Sequence, residues 1–211
     1  MTYKLICFDM DGVIFKDSNF WLRLHEVFGT LEEGKKLTKK YLYTNYAKLV
    51  EEVVTKLWKG KDATSYYSLV KTIPYSDGVQ ELFRQIKKQD LLVAIVSSGS
   101  IDLARRAQHD LGIDFIYANE LIIKNNLVTG EFVWPLGAGT EKKVEIISHL
   151  CKDLGIPPEE VIFIGDSESD IHACEYVGLS IAFNSKSKEL KEAASHVVEG
   201  DDLRKVLPFL N

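Results

Sequence analysis

Apolar positions along this chain follow two rhythms. Short unbroken runs, Leu5 to Phe8, Leu91 to Val96, Phe115 to Ala118, Val161 to Ile164 and Ser180 to Phe183, lack polar alternation and read as strands buried on both faces. Between them apolar residues return in three- and four-residue steps, as in Val79, Leu82, Phe83 and Ile86, or Ala104, Ala107, Gln108 and Leu111 within a helix Ile101 to Leu111. Further helices are expected from about Glu141, around Ser169 to Val177, and as a closing helical pair that ends with Asp201 to Leu210. Leu121 to Trp134 reads as a β-hairpin, with Lys124-Asn125-Asn126 near its turn and Thr129-Gly130 interrupting the second arm. Strands alternating with helices predict an α/β fold: a Rossmann-like parallel sheet with helices on both faces.

One stretch breaks the alternation. From about Phe20 to Lys71 the chain is rich in Lys, Glu and Tyr, and Leu42, Tyr46, Leu49, Val50, Val53 and Leu57 are spaced for one helical face. Ile73-Pro74-Tyr75-Ser76-Asp77-Gly78 then supplies breakers. The expected organisation is an α/β core from 1–16 and 76–211, with a helical insertion at 17–75.

Composition narrows the setting. Across 211 residues, 45% hydrophobic and 27% charged side chains describe a globular chain able to bury a substantial core. A formal net charge of −5 gives no general attraction for a nucleic acid backbone or an anionic lipid surface, so neither is an expected partner. No apolar run approaches the roughly 18 residues of a membrane span. Cys7, Cys151 and Cys174 have no framework spacing and are expected as reduced thiols, which makes the cytoplasm the default location. The five histidines show no zinc-ligand spacing.

In open α/β sheets, ligands gather beyond the carboxyl ends of the strands. Asp9 and Asp11 follow the first apolar run; Ser97, Ser98 and Gly99 follow the second; Gly165, Asp166 and Asp170 follow the run at Val161 to Ile164. The helix before that last run carries Lys142 and Lys143, and the series Lys143, Ile146, Ile147, Leu150 places Lys143 inward. Converging aspartates repel one another unless a cation compensates, and an oxygen-only donor set suits Mg²⁺. Mg²⁺ completes its shell with water and phosphate, which points to a phosphorylated substrate. Ser97 and the amides near Ser98 and Gly99 would cradle that anion at the start of the following helix. The plainer alternatives are that single aspartates form turns, that Ser97 and Ser98 cap the helix, and that the lysines are solvated.

Asp9-Met10-Asp11-Gly12-Val13, Ile95-Val96-Ser97, Lys143 and Gly165-Asp166-Ser167-Glu168-Ser169-Asp170, in that order, resemble the four motifs of the haloacid dehalogenase superfamily, particularly its phosphoserine-phosphatase-like branch. The hairpin and the insertion after the first motif are similar to that branch as well, and the resemblance implies that the insertion is a cap over the site. It further implies a Mg²⁺-dependent phosphatase acting on a small phosphorylated metabolite. Asp9 would be the nucleophile that forms an aspartyl-phosphate, and Asp11 the general acid and base. The carboxylates of Asp9 and Asp166 and the backbone carbonyl of Asp11 would bind Mg²⁺, with Asp170 supporting; Ser97, Ser98 and Lys143 would bind phosphate, and Lys143 would also restrain Asp9.

The chain departs from that branch in places. Ser18 stands where the phosphoserine enzymes have Glu, Val13 replaces the commoner Thr, Ser169 the frequent Asn, and the insertion's one arginine, Arg23, matches no family position. Phosphoserine is thus one candidate substrate among several. Trp21, Tyr43, Tyr46, Trp58, Tyr66 and Tyr67 would either line an aromatic pocket or pack within the insertion. The rival functions are a phosphomutase that uses the same intermediate and a non-hydrolytic phospho-accepting signalling domain, though the latter should be shorter and lack the insertion.

Overall fold

The computed structural model describes residues 2–16, 19–42, 44–137 and 140–210. Its centre is β1 (Leu5–Phe8), in which every residue is buried. Leu5 and Cys7 join one apolar layer, Ile6 and Phe8 the other. The chain then leaves the sheet for α1 (Phe20–Val27), α2 (Leu31–Tyr41), α3 (Tyr46–Glu52), a π-helical stretch Val53–Trp58 and α4 (Thr64–Thr72). It returns through α5 (Val79–Lys87) to β2 (Leu92–Ser100), α6 (Ile101–Leu111), β3 (Phe115–Lys124) and β4 (Leu127–Val133). The second half runs α7 (Thr140–Leu154), β5 (Val161–Gly165), α8 (Ile171–Tyr176), β6 (Leu179–Phe183), α9 (Lys188–Ala193) and β7 (His196–Val198).

The strand order is β4-β3-β2-β1-β5-β6-β7, and only the β3–β4 pair is antiparallel. The chain winds outward from β1 in one direction and, after α7, in the other, so β1 and β5 flank the switch point where such sheets bind ligands. α5 and α6 cover one face; α7, α8 and α9 cover the opposite one. The helical insertion leaves and rejoins the sheet through adjacent backbone: Lys16 N–H donates to Pro74 O, Ser76 N–H donates to Ile14 O, and the Phe15 and Tyr75 rings stack at 4.6 Å.

Several boundaries differ from the sequence reading. The strand beginning near Leu91 continues to Ser100, with its register to β3 shifting between Val96 and Ser100, so Ser97 and Ser98 belong to the strand's irregular end. The cap of α6 is Ser100, whose hydroxyl accepts from Asp102 N–H. The run Phe115 to Ala118 and the first hairpin arm are a single strand, which pairs with β2 and then with β4. The hairpin closes at Asn125 and Asn126, both at positive φ (52° and 60°), as a two-residue turn of matching twist requires. In the insertion the helical stripe ends at the π stretch, whose wider turn moves the buried position from Leu57 to Trp58. The helix expected around Ser169 starts as a 3₁₀ turn, Glu168–Asp170. The closing helical pair is instead α9, edge strand β7 and a 3₁₀ helix, Leu203–Phe209, that contains Pro208. All three cysteines are buried and free, and among the described residues no helix is long and apolar enough to cross a membrane.

Candidate active site

β1 ends by delivering Asp9, whose backbone N–H donates to Ile164 O on β5. The Asp9 side chain is buried and faces the floor of a cavity of about 600 Å³ between the sheet's carboxyl end and the helical insertion. Asp11, Ser97, Ser98, Asp166, Ser167 and Ser169 reach the same cavity.

Behind Asp9 stands Lys143 on α7, fully buried. Its ammonium donates at 2.5 Å to Asp170 Oδ1 and at 3.4 Å to Ser169 Oγ, and pairs with Asp9 Oδ2 at 2.9 Å. Burial alone would depress the Lys143 ammonium, but the charges of Asp170 and Asp9 outweigh it and hold the group above its ordinary pKa. The lysine is therefore charged, and all three of its protons are engaged. It does not line the cavity, so a phosphate oxygen would have to take the place of the long Ser169 contact. Asp170 is also committed: its Oδ2 accepts from the Asp166 and Ser167 N–H groups and closes a capping box with Ser167.

Asp9, Asp166 and Asp170 each offer an oxygen, all within 4.8 Å of one another. Burial, followed by the negative charges of Asp9 and Asp170, pushes the Asp166 carboxyl up to about 9. With Asp170 already bonded to Lys143 and two amides, Asp9 and Asp166 are the donors left to face a ligand. That hard, oxygen-only set fits a divalent cation such as Mg²⁺. Two glycines make the crowding feasible. Gly12 has φ +78°, and a Cβ there would lie 2.1 Å from Asp166 Oδ2, while a Cβ on Gly165 would lie 2.4 Å from Asp170 Cγ.

Asp11 turns toward the insertion, its Oδ2 accepting from Phe20 N–H at 2.8 Å at the start of α1. Ser97 Oγ accepts from Gly99 N–H at 3.2 Å, which leaves the hydroxyl proton to donate elsewhere. The Ser98 carbonyl accepts from two side chains, Trp21 Nε1 at 2.8 Å and Asn119 Nδ2 at 2.9 Å. The chemistry-bearing end of β2 is thereby held by one residue of the insertion and one of β3.

A family model of haloacid dehalogenase-like hydrolases matches residues 3–178. The chain belongs to this family. Within it, the hydrolase falls in the phosphoserine-phosphatase-like branch. It is 31% identical over 209 residues to a phosphoserine phosphatase of Methanocaldococcus jannaschii, covering 98% of this chain and 97% of that one. Two solved structures superpose along the full length of both chains with TM-scores of 0.86: a substrate-bound phosphoserine phosphatase complex at 29% identity and a phospho-aspartyl intermediate analogue of phosphoserine phosphatase at 30%.

All seven residues singled out in the hydrolase's sequence, Asp9, Asp11, Ser97, Ser98, Lys143, Asp166 and Asp170, meet at this one place, Lys143 and Asp170 behind the cavity wall and the rest on it. Ser18 and Tyr43 lie outside the described residues. Trp21, Tyr46 and Trp58 line the cavity, whereas Tyr66 is buried against Ser100 and Asp102 and Tyr67 is exposed. Sequence reasoning missed Asn119, a fully buried amide that also accepts from Leu136 N–H, and Trp134, which closes the cavity wall. The available signal for the first was its place directly after the apolar run Phe115 to Ala118, where strand ends collect functional residues.

Proposed function

We propose that this phosphoric monoester hydrolase is Mg²⁺-dependent and cleaves a small phosphorylated metabolite through an aspartyl-phosphate on Asp9, with residues 17–75 acting as a cap. The observation that carries this reading is the Asp9 carboxylate at the cavity floor, fixed from behind by Lys143 and flanked by Asp166, Asp11 and Ser97.

An Asp9 oxygen attacks phosphorus in line, forming an O–P bond as the bond to the substrate alcohol breaks, and Asp11 donates the proton the departing oxygen needs. Water, deprotonated by Asp11, then attacks the phosphoryl group, releasing inorganic phosphate and restoring Asp9. The Ser97 hydroxyl and the amides near Ser98 hold phosphate oxygens. The Lys143 ammonium, 2.9 Å from Asp9 Oδ2, keeps that carboxylate pointed at the cavity. Asp9, Asp166 and the Asp11 carbonyl would hold Mg²⁺, which when bound offsets the charge of phosphate approaching a carboxylate. Lodging the acid/base Asp11 against the first turn of α1 ties the proton-transfer group to the cap that shuts out water.

The relatives' substrate, phosphoserine, is the reference compound for the test. Purified protein is assayed for phosphate release from a panel of phosphomonoesters with Mg²⁺ and with a chelator. Release that requires Mg²⁺ and falls by more than about 10³-fold in Asp9→Asn is expected. A panel on which no ester is hydrolysed in Mg²⁺ overturns the reading.

A further inference from the structure

Away from Asp9 the cavity changes character. Its walls there are Trp21, Tyr46, Leu49, Val53, Trp58 and Trp134. Trp21 lies between its neighbours, its ring centroid 4.6 Å from that of Trp134 and 5.9 Å from that of Trp58. The indole N–H groups of these aromatics are already used inside the protein. Trp21 Nε1 donates to Ser98 O, Trp58 Nε1 to Thr30 Oγ1 and Trp134 Nε1 to the Tyr46 hydroxyl. His25, at the same wall, has its Nδ1 bonded to Thr30 Oγ1, and burial lowers its pKa to about 4, so it is neutral. Apart from the side chains of Asn19 and Thr38 and the proton of the Tyr46 hydroxyl, what this wall offers a ligand is ring and aliphatic carbon.

Charge points the same way. Among the described lining residues the only carboxylates are Asp9, Asp11 and Asp166, all at the phosphate end. The charged lining groups at the insertion end are cations on α2, both exposed at the rim: Lys39, and Lys35, which pairs with Glu32 at 3.2 Å. An ammonium group on the substrate would find no carboxylate among the described residues at this end of the chamber and would face the Lys39 cation at its mouth, an unfavourable combination away from bulk water. The volume, about 600 Å³, lies in the range of sites that enclose ligands far larger than a three-carbon ester.

We infer that the alcohol released by this hydrolase is bulky, apolar and free of any ammonium group, best matched by an aromatic alcohol whose ring packs against the tryptophan wall. The inference rests on the phosphatase reading above and adds the substrate class to it. Aromatic contact supplies affinity through buried area and edge-to-face geometry, and selects against zwitterionic esters by leaving their charge unpaired.

The test compares 1-naphthyl phosphate, phenyl phosphate and O-phospho-L-serine on the full chain with Mg²⁺. A kcat/KM for the aryl esters at least about ten-fold above that for phosphoserine supports the inference. Equal or better turnover of phosphoserine overturns it while the phosphatase reading stands. A second arm works without turnover: 1-naphthyl phosphate and phosphoserine are titrated into the protein while tryptophan fluorescence is followed. If no ester is hydrolysed, the phosphatase reading falls. Quenching by the naphthyl ester at concentrations at least about ten-fold lower than phosphoserine still sustains the apolar class, and equal or absent quenching removes it.

Discussion

The Lys143 ammonium lies 2.9 Å from the Asp9 carboxylate, and neither side chain has more than slight contact with solvent. One cation thus neutralises two acids that different strands deliver, since Asp170 shares it. Replacing it by Met leaves both carboxylates buried without a counter-charge, held only by backbone amides and, for Asp170, the Ser167 hydroxyl. Lys143→Met should lose about 3–5 kcal/mol of stability and at least about 10²-fold in phosphate release. Denaturant titration and a steady-state assay check this; a stable variant with wild-type turnover would show that Asp9 needs no fixed cation behind it.

Asp11 accepts from Phe20 N–H, an interaction that an Asn side-chain oxygen would reproduce. Asp11→Asn should therefore fold normally yet lose about 10²–10⁴-fold in turnover, because the amide cannot exchange the proton. With a nitrophenyl ester, whose leaving group needs little protonation, the deficit should move to the hydrolysis of the intermediate. Rapid mixing would then show a burst of nitrophenol equal to the enzyme concentration, and a linear time course without a burst would contradict the assignment.

Gly12 is held at φ +78° with Asp166 against the place a side chain would occupy. Gly12→Ala combines backbone strain with a collision on Asp166 Oδ2. Strain of this kind costs about 1–3 kcal/mol, and displacement of Asp166 should lower activity well beyond what the stability loss explains. Thermal unfolding alongside a Mg²⁺ dependence of rate tests it, with a raised Mg²⁺ requirement as the expected signature.

His25 is buried against Trp58, and a Cβ on Gly34 would meet its ring at 2.5 Å. Burial lowers its pKa from 6.5 to about 4, so the unfolded chain takes up the proton more readily than the native one. The resulting stability is fully present above about pH 6.5 and drains as pH falls toward about 4. Comparing wild type with His25→Gln across that window should show wild type losing about 1–2 kcal/mol more than the variant. Parallel curves would mean that His25 does not titrate on unfolding.

The sheet could be read from the sequence because buried parallel strands are unbroken apolar runs; Leu5 to Phe8 needs no partner information to be recognised. The same holds for the site carboxylates, which stand where strands end. The register break after Val96 was hidden, since it follows from pairing with β3, and so was the π stretch at Val53–Trp58, where contact with β4 overrides the helical count. Edge strand β7 was hidden too, because His196 to Val198 is too short to show a period. The spacing of Lys143 places it inward, but its full burial behind Asp9 depends on Asp170 and Ser169, whose side chains meet it only once β5 is seated. Asn119 illustrates the remaining gap: its importance lies in the Ser98 carbonyl and the Leu136 amide, neither of which is near it in sequence.

The ladder between Ile14–Lys16 and Pro74–Ser76 sets both ends of the inserted helices side by side. A segment joined to its host through such neighbouring ends can be lengthened, shortened or exchanged without rerouting the rest of the polypeptide. Bond-breaking groups on the sheet and selectivity groups on the insert are therefore free to diverge at different rates, so a lineage can acquire a new reactant by rewriting one contiguous stretch of its coding sequence.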